Sequence, residues 1–116
     1  MAVNFSGHYD YTDEQRRPLL SKIRREVCGW DSKLIETITA QQRIAYAKPN
    51  RRVFLELKVQ RHRIVLHMVD VPDPDHILSR IPESHGWRQL TLRGEVETDA
   101  DLERFLPLIH TAWVRG

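Results

Sequence analysis

The clearest pattern along the chain is the alternation of apolar and other residues between positions 53 and 60. One face would carry Val53, Leu55, Leu57 and Val59, and the other would carry Phe54, Glu56, Lys58 and Gln60. Because successive side chains of a strand point to opposite faces, this period of two predicts a strand. The segment 64–69 repeats the pattern after a short Arg61-His62 connection, which predicts an antiparallel pair.

Apolar residues at helical spacing mark both ends of the chain. Thr12 and Gln15 have the spacing of a capping box, and Gly29 is a natural C-terminal cap. Because Pro18 lies beyond the first turn from Thr12, either the helix is kinked there or the regular helix begins near Pro18. Thr98 and Asp101 repeat the capping signal near the C-terminus. The apolar stripes behind these signals are Leu20, Ile23 and Val27 in the first helix, and Leu102, Phe105, Leu106, Ile109 and Trp113 in the last.

The remaining segments complete an α+β pattern. Residues 34–42, 43–47 and 87–93 read as extended, and Asp73-Pro74 reads as the start of a short helix that continues through Ile81. We therefore expect a single domain over residues 1–116, with a flexible segment over 1–11. Its antiparallel sheet would have about four to five strands, with the N-terminal and C-terminal helices packed mainly on one face.

Composition narrows the class of protein. Apolar residues make up 41% of the chain and charged residues 29%, as in globular domains. No apolar run reaches the roughly 20 residues of a membrane helix, and the N-terminus lacks a leader pattern, so no membrane contact is predicted. The single Cys28 excludes an intramolecular disulfide, which favours a cytoplasmic location. No metal or cofactor is predicted, and the oligomeric state stays open.

Charge is distributed unevenly along the chain. Residues 43–67 contain seven basic residues and one acidic residue, a balance of +6, whereas the whole chain carries only +2. The candidate contacts to an anionic partner, with nucleic acid as the leading expectation, are Lys48, Arg51, Arg52, Lys58, Arg63 and His67. The alternative is that these cations only keep turns and sheet edges in solution.

Three further arrangements suggest other functions. Glu56 and Lys58 lie on one strand face, as in metal-dependent nucleases, although such a site needs a second carboxylate. A ligand pocket between sheet and helices would be lined by Tyr46, Trp87 and Trp113. The acidic cluster suits either a cation loop or a cap, for which capping is preferred: Asp70, Asp73, Asp75 and His76.

Several segments together resemble a known family. They are Ile44-Ala45-Tyr46-Ala47-Lys48, residues 52–60, and the closing stretch from Asp101 to Trp113. In these segments the chain resembles the bacterial domain of unknown function numbered 5655, some of whose members carry the label "predicted transport protein". His85-Gly86-Trp87 departs from the family by lacking the glycines that follow. The resemblance implies the fold and a nucleic-acid context, and it implies no catalytic residue.

Overall fold

A computed structural model describes residues 16–82 and 89–116 of the chain. Helix α1 spans Arg16–Trp30 and helix α2 spans Asp99–Arg115. The strands are β1 (Ile35–Ile38), β2 (Ile44–Ala47), β3 (Val53–Val59), β4 (Ile64–Met68), β5 (Ser79–Arg80) and β6 (Leu92–Val96). They form one antiparallel sheet in the order β1-β2-β3-β4-β6-β5. The predicted α+β fold is confirmed, with six strands among the described residues instead of about four to five.

Both helices pack on the same face of the sheet, as predicted. Ile23 of α1 and Ile109 of α2 are fully buried in one apolar cluster with Leu57 and Leu66 of the central strands. Helix α2 packs closely over Gly94 of β6, where an added Cβ would come within 2.7 Å of the Phe105 ring. Any side chain at this position would force the Phe105 ring to move, so glycine allows the close packing.

Of the helix caps predicted from the sequence, the one at the start of α2 is confirmed and the one at the end of α1 is wrong. At α2 the capping box is confirmed: the Thr98 hydroxyl accepts from the Asp101 amide at 3.1 Å, and the Asp101 carboxylate accepts from the Thr98 amide at 3.2 Å. The predicted cap at Gly29 is wrong, because α1 continues to Trp30, whose ring packs against the aromatic side chains of α2. The predicted cap at Thr12 and the segment 1–11 lie outside the described residues.

Phe54 does not lie on the outer face of β3, where the alternation predicts it. The register shifts between Tyr46, which pairs with Leu55, and Ala47, which pairs with Val53, so the extra residue of β3 is Phe54. Its side chain is fully buried beneath the end of α2, where a Cβ on Gly116 would come within 2.7 Å of the Phe54 Cβ. Such an irregularity interrupts the strict alternation from which the prediction was made.

The short helix predicted from Asp73 to Ile81 is also absent from the structure. The Asp73 carboxylate instead accepts from the amides of Ile77 at 3.0 Å and Leu78 at 2.8 Å, which closes a turn before β5. Ser79 and Arg80, which the predicted helix would have included, instead form β5 and pair with β6. The strand predicted over 87–93 overlaps β6 only at residues 92 and 93, because residues 89–91 are not in a strand and β6 continues to Val96. Residues 83–88 lie outside the described part of the chain.

Residues 16–82 and 89–116 contain the helices α1 and α2. Neither helix in this described part of the chain is long and apolar enough to cross a bilayer.

Candidate functional site

The face of the sheet opposite the helices carries most of the cations predicted on strands. We call this surface the sheet face, and it comprises Arg43, Glu56, Lys58, Arg63, His67, Arg93 and Glu95. One Arg43 nitrogen, Nη1, lies 3.3 Å from Glu56 Oε1 and 3.3 Å from His67 Nδ1. The positive charge of Arg43 is therefore neutralised by a carboxylate, and His67 lies within the same group of contacts.

A second group of charges on the sheet face is centred on Glu95. Its carboxylate accepts a hydrogen bond from Arg63 Nη1 at 2.5 Å and another from Arg93 Nη1. These hydrogen bonds from two guanidinium groups lower the pKa of Glu95 from its ordinary value. Arg63 is thus engaged by a carboxylate, whereas Lys58 is exposed and pairs across strands with Val65.

Glu56 has no second carboxylate on either neighbouring strand. The residues paired with it are Ala45 on β2 and His67 on β4. Within residues 16–82 and 89–116, no three histidine, cysteine, aspartate or glutamate side chains converge as metal ligands would. The surroundings of Glu56 and Lys58 in the described structure therefore give no support to metal-dependent cleavage.

The acidic residues after β4 are engaged separately. Asp73 closes the turn described above, and Asp70 forms an exposed ion pair with Arg80 at 3.5 Å. Since a calcium or magnesium ion needs several oxygen ligands directed at one point, these contacts do not favour a cation loop. The preferred alternative, a helix cap at Asp73, is wrong in its element, because Asp73 closes a turn that is followed by β5 and not by a helix.

The basic residues of the β2–β3 turn meet the C-terminus of α2 at one end of the sheet. We call this surface the basic end, and it comprises Lys48, Arg51, Arg52 and Arg115. Lys48 Nζ lies 3.4 Å from the Val114 carbonyl oxygen, and Arg115 Nη1 donates to the Asp70 carbonyl oxygen at 3.1 Å. Arg52 Nη1 lies 3.4 Å from the side-chain oxygen of Gln89. Each of these acceptors is neutral, so the hydrogen bonds leave the positive charge in place.

Three aromatic side chains lie beside the basic end. We call them the aromatic cluster: Trp30 at the end of α1, with His110 and Trp113 one turn apart on α2. The ring centroids are 4.9 Å apart for Trp30 and His110, 5.8 Å for Trp30 and Trp113, and 5.2 Å for His110 and Trp113. Lys48 Nζ lies 5.3 Å from the Trp113 ring centroid, within cation–π distance. The aromatic cluster therefore adjoins the basic end directly.

Tyr46, predicted to line a ligand pocket, is fully buried and bound to an internal carboxylate. Its hydroxyl donates to Glu36 Oε2 at 2.7 Å, and Arg24 donates to both oxygens of Glu36 at 3.0 and 2.9 Å. Burial, reinforced by Glu36, raises the pKa of the Tyr46 hydroxyl. Trp113 lies in the aromatic cluster instead, and Trp87, the third predicted pocket residue, lies outside the described residues.

Sequence reasoning missed the buried carboxylate of Glu36, although a signal was present. Leu34, Glu36 and Ile38 share one face by the alternation of a strand, which places a carboxylate on an apolar face. The cleft beside it, between α1 and β1, has a volume of about 400 Å³ and is lined by Ser21, Arg24, Arg25, Cys28, Asp31, Ser32, Leu34 and Glu36. Burial and the nearby Glu36 raise the pKa of the Cys28 thiol, which disfavours the reactive thiolate.

Comparison of the chain with protein-family models, with curated proteins and with solved structures finds no match. The resemblance to the family numbered 5655 stays a prediction.

Proposed function

We propose that this domain is a non-enzymatic binding module whose basic end contacts an anionic partner, and that this partner is nucleic acid. The observation that supports the proposal is that the cations of the basic end donate hydrogen bonds to uncharged oxygen atoms. Lys48, Arg52 and Arg115 donate to neutral oxygens, so their charges stay available to phosphates. Arg51, between Lys48 and Arg52 in the same turn, has an exposed side chain.

The sheet face is a weaker candidate for the same task. Arg43 and Arg63 would have to leave Glu56 and Glu95 before they could bind a phosphate, and leaving a carboxylate without its cation costs free energy. Lys58 is exposed and can add one contact. Of the six residues predicted to bind nucleic acid, Lys48, Arg51 and Arg52 therefore carry the proposal, and Arg115 joins them through the fold.

The proposal requires neither metal nor nucleophile, and the described residues favour binding over catalysis. Glu56 contacts Arg43, and the thiol of Cys28 is shifted away from its reactive form. We propose a cytoplasmic setting for this activity, in keeping with a single cysteine that cannot form an intramolecular disulfide.

The test is a salt titration of binding to labelled oligonucleotides. Each phosphate neutralised by the protein adds about 0.9 to the slope of log affinity against log salt for duplex, and about 0.7 for single strands. The combined variant K48Q/R51Q/R52Q/R115Q should therefore flatten the slope by roughly three. Arg104→Gln is the matched control, since Arg104 is an exposed cation on α2 outside the basic end. Failure of both probes to bind the unaltered protein at about 50 mM salt would overturn the proposal.

A further inference from the structure

The aromatic cluster lies at the surface beside the basic end, on residues from the two helices α1 and α2. His110 is exposed, and Trp30 and Trp113 are each partly exposed. Partly exposed tryptophans beside cations differ from core tryptophans, which contribute mainly by burial. A planar, apolar ligand surface could therefore contact these rings next to the same cations that would bind phosphates.

An exposed apolar residue also lies beside Lys48. In the described part of the chain, the large apolar residues with high exposure are Ile35 at 45% and Val114 at 58%. The Val114 carbonyl oxygen contacts the Lys48 ammonium. Ile35 pairs with Ala47, but by the alternation of a strand it faces away from Glu36, which lies on the helix side of the sheet. Cations, aromatic rings and the exposed residue Val114 thus meet around Lys48, although they come from distant parts of the sequence.

The contact between Lys48 and Trp113 couples charge to an aromatic ring. A cation 5.3 Å from the ring centroid places a phosphate partner and a stacking partner within one small region. A nucleotide with an unpaired base can bind both the cation and the ring, because it offers an apolar π-face and an anionic phosphate. In a duplex the bases are stacked on one another and paired, so their faces cannot reach side chains without prior unstacking.

We infer that the partner of the basic end is single-stranded nucleic acid, with Trp113 and His110 stacking on unpaired bases while Lys48, Arg51 and Arg52 bind the phosphates. This inference deepens the proposed function and depends on it. Sequence preference should be weak, since stacking on an aromatic ring tolerates every base.

The experiment compares an oligothymidine with a duplex of equal length at the same salt concentration, followed by fluorescence anisotropy. In a Trp87→Phe background, which leaves Trp30 and Trp113, intrinsic fluorescence reports directly on the cluster. We expect the single strand to bind at least roughly tenfold more tightly and to quench this fluorescence.

Two variants separate stacking from charge. Trp113→Leu and His110→Ala should each weaken oligothymidine binding by roughly fivefold or more while leaving the salt slope unchanged, because stacking releases no counterions. The basic-end variants should change the slope instead. His62→Ala is the matched control for His110→Ala, because His62 is exposed in the β3–β4 turn at the other end of β3. Unfolding curves for each variant check that the fold is retained.

The possible outcomes distinguish the single-strand inference from the proposed function. Salt-dependent binding that is equal for both probes, without fluorescence quenching, would overturn the single-strand inference and leave the proposed function standing. No salt-dependent binding of either probe would overturn the proposed function itself. Self-association that Val114→Ser abolishes, with no effect of oligothymidine on it, would assign the surface to a second copy of the chain and overturn the inference.

Discussion

The sheet face and the basic end both carry arginine and lysine side chains, but the groups that these side chains contact differ in charge. On the sheet face, Arg43 contacts Glu56, and Arg63 contacts Glu95. At the basic end, Arg52 and Arg115 contact only neutral oxygens among the described residues. The count of basic residues over 43–67 therefore overstates the charge that the sheet face can offer to a partner, and it does not include Arg115.

The difference follows from the secondary structure on which the cations lie. Side chains directly opposite one another on neighbouring strands have Cβ atoms about 5 Å apart, so a cation on a strand readily meets a carboxylate. A turn or a helix C-terminus presents main-chain carbonyl groups instead, since the last carbonyls of a helix have no partner within it. The Val114 carbonyl oxygen, near the end of α2, accepts from Lys48 in this way.

The largest effect is expected where a carboxylate and a cation are held together below the surface. Glu36 accepts from Arg24 and Tyr46, so Glu36→Ala should lower the free energy of unfolding by roughly 3 to 5 kcal/mol. Chemical denaturation measures this loss. Glu26→Ala, at an exposed position of α1, is the control and should change stability by less than about 0.5 kcal/mol. A loss below about 1 kcal/mol for Glu36→Ala would show that the pair does not hold α1 to the sheet.

A second prediction turns the sheet face into a surface like the basic end. Glu95→Gln removes the carboxylate shared by Arg63 and Arg93, which makes their charges available to phosphates. Oligonucleotide affinity at about 0.1 M salt should rise by up to roughly tenfold, since one added phosphate contact is worth that much. The substitution Glu103→Gln, which removes an exposed carboxylate of α2, controls for the change in net charge. Equal gains for both variants would indicate a general charge effect.

The third prediction concerns alkaline pH. Burial raises the pKa of Tyr46 in the folded state above its unfolded value of about 10, so the folded chain retains this proton longer. The contribution to stability is complete below pH 10 and is lost as pH rises above it, by roughly 0.8 kcal/mol at pH 10.5. The difference in unfolding free energy between the unaltered protein and Tyr46→Phe, measured from pH 8 to pH 10.5, isolates this loss. A difference independent of pH would contradict the assignment.

The smallest effect on stability is expected at the basic end. Arg51 and Arg52 are exposed, so the double variant R51Q/R52Q should change the free energy of unfolding by less than about 0.5 kcal/mol. Thermal and chemical denaturation measure the change. A destabilisation above about 1.5 kcal/mol would mean that these arginines serve the fold and not a partner.

Much of the fold was predictable from local patterns. Alternation in β3 and β4, together with the capping box at Thr98, specified elements whose stabilising contacts are close in sequence. The errors arose where distant residues decide the outcome. Phe54 is buried because the end of α2 lies against it, and residues 79–80 form a strand because β6 is available for pairing.

The candidate site was predictable only in part, for the same reason. The turn cations Lys48, Arg51 and Arg52 were identified from their positions next to a predicted strand. Their neighbours Trp30 and Arg115 belong to the ends of two helices, and no local pattern brings those ends to the turn. The neutralisation of Arg63 by Glu95 likewise depends on the pairing of β4 with β6, which are distant in sequence.

Whether the basic end or the sheet face binds the phosphates is tested most directly by two variants that remove equal charge from the two surfaces. K48Q/R51Q/R52Q alters the basic end, and K58Q/R63Q/R93Q alters the sheet face. The measurement is the slope of log affinity against log salt for an oligothymidine. The account predicts that the basic-end variant flattens the slope by roughly two, at about 0.7 for each phosphate, and that the sheet-face variant flattens it by less than about one. An equal or larger change for the sheet-face variant would contradict the account.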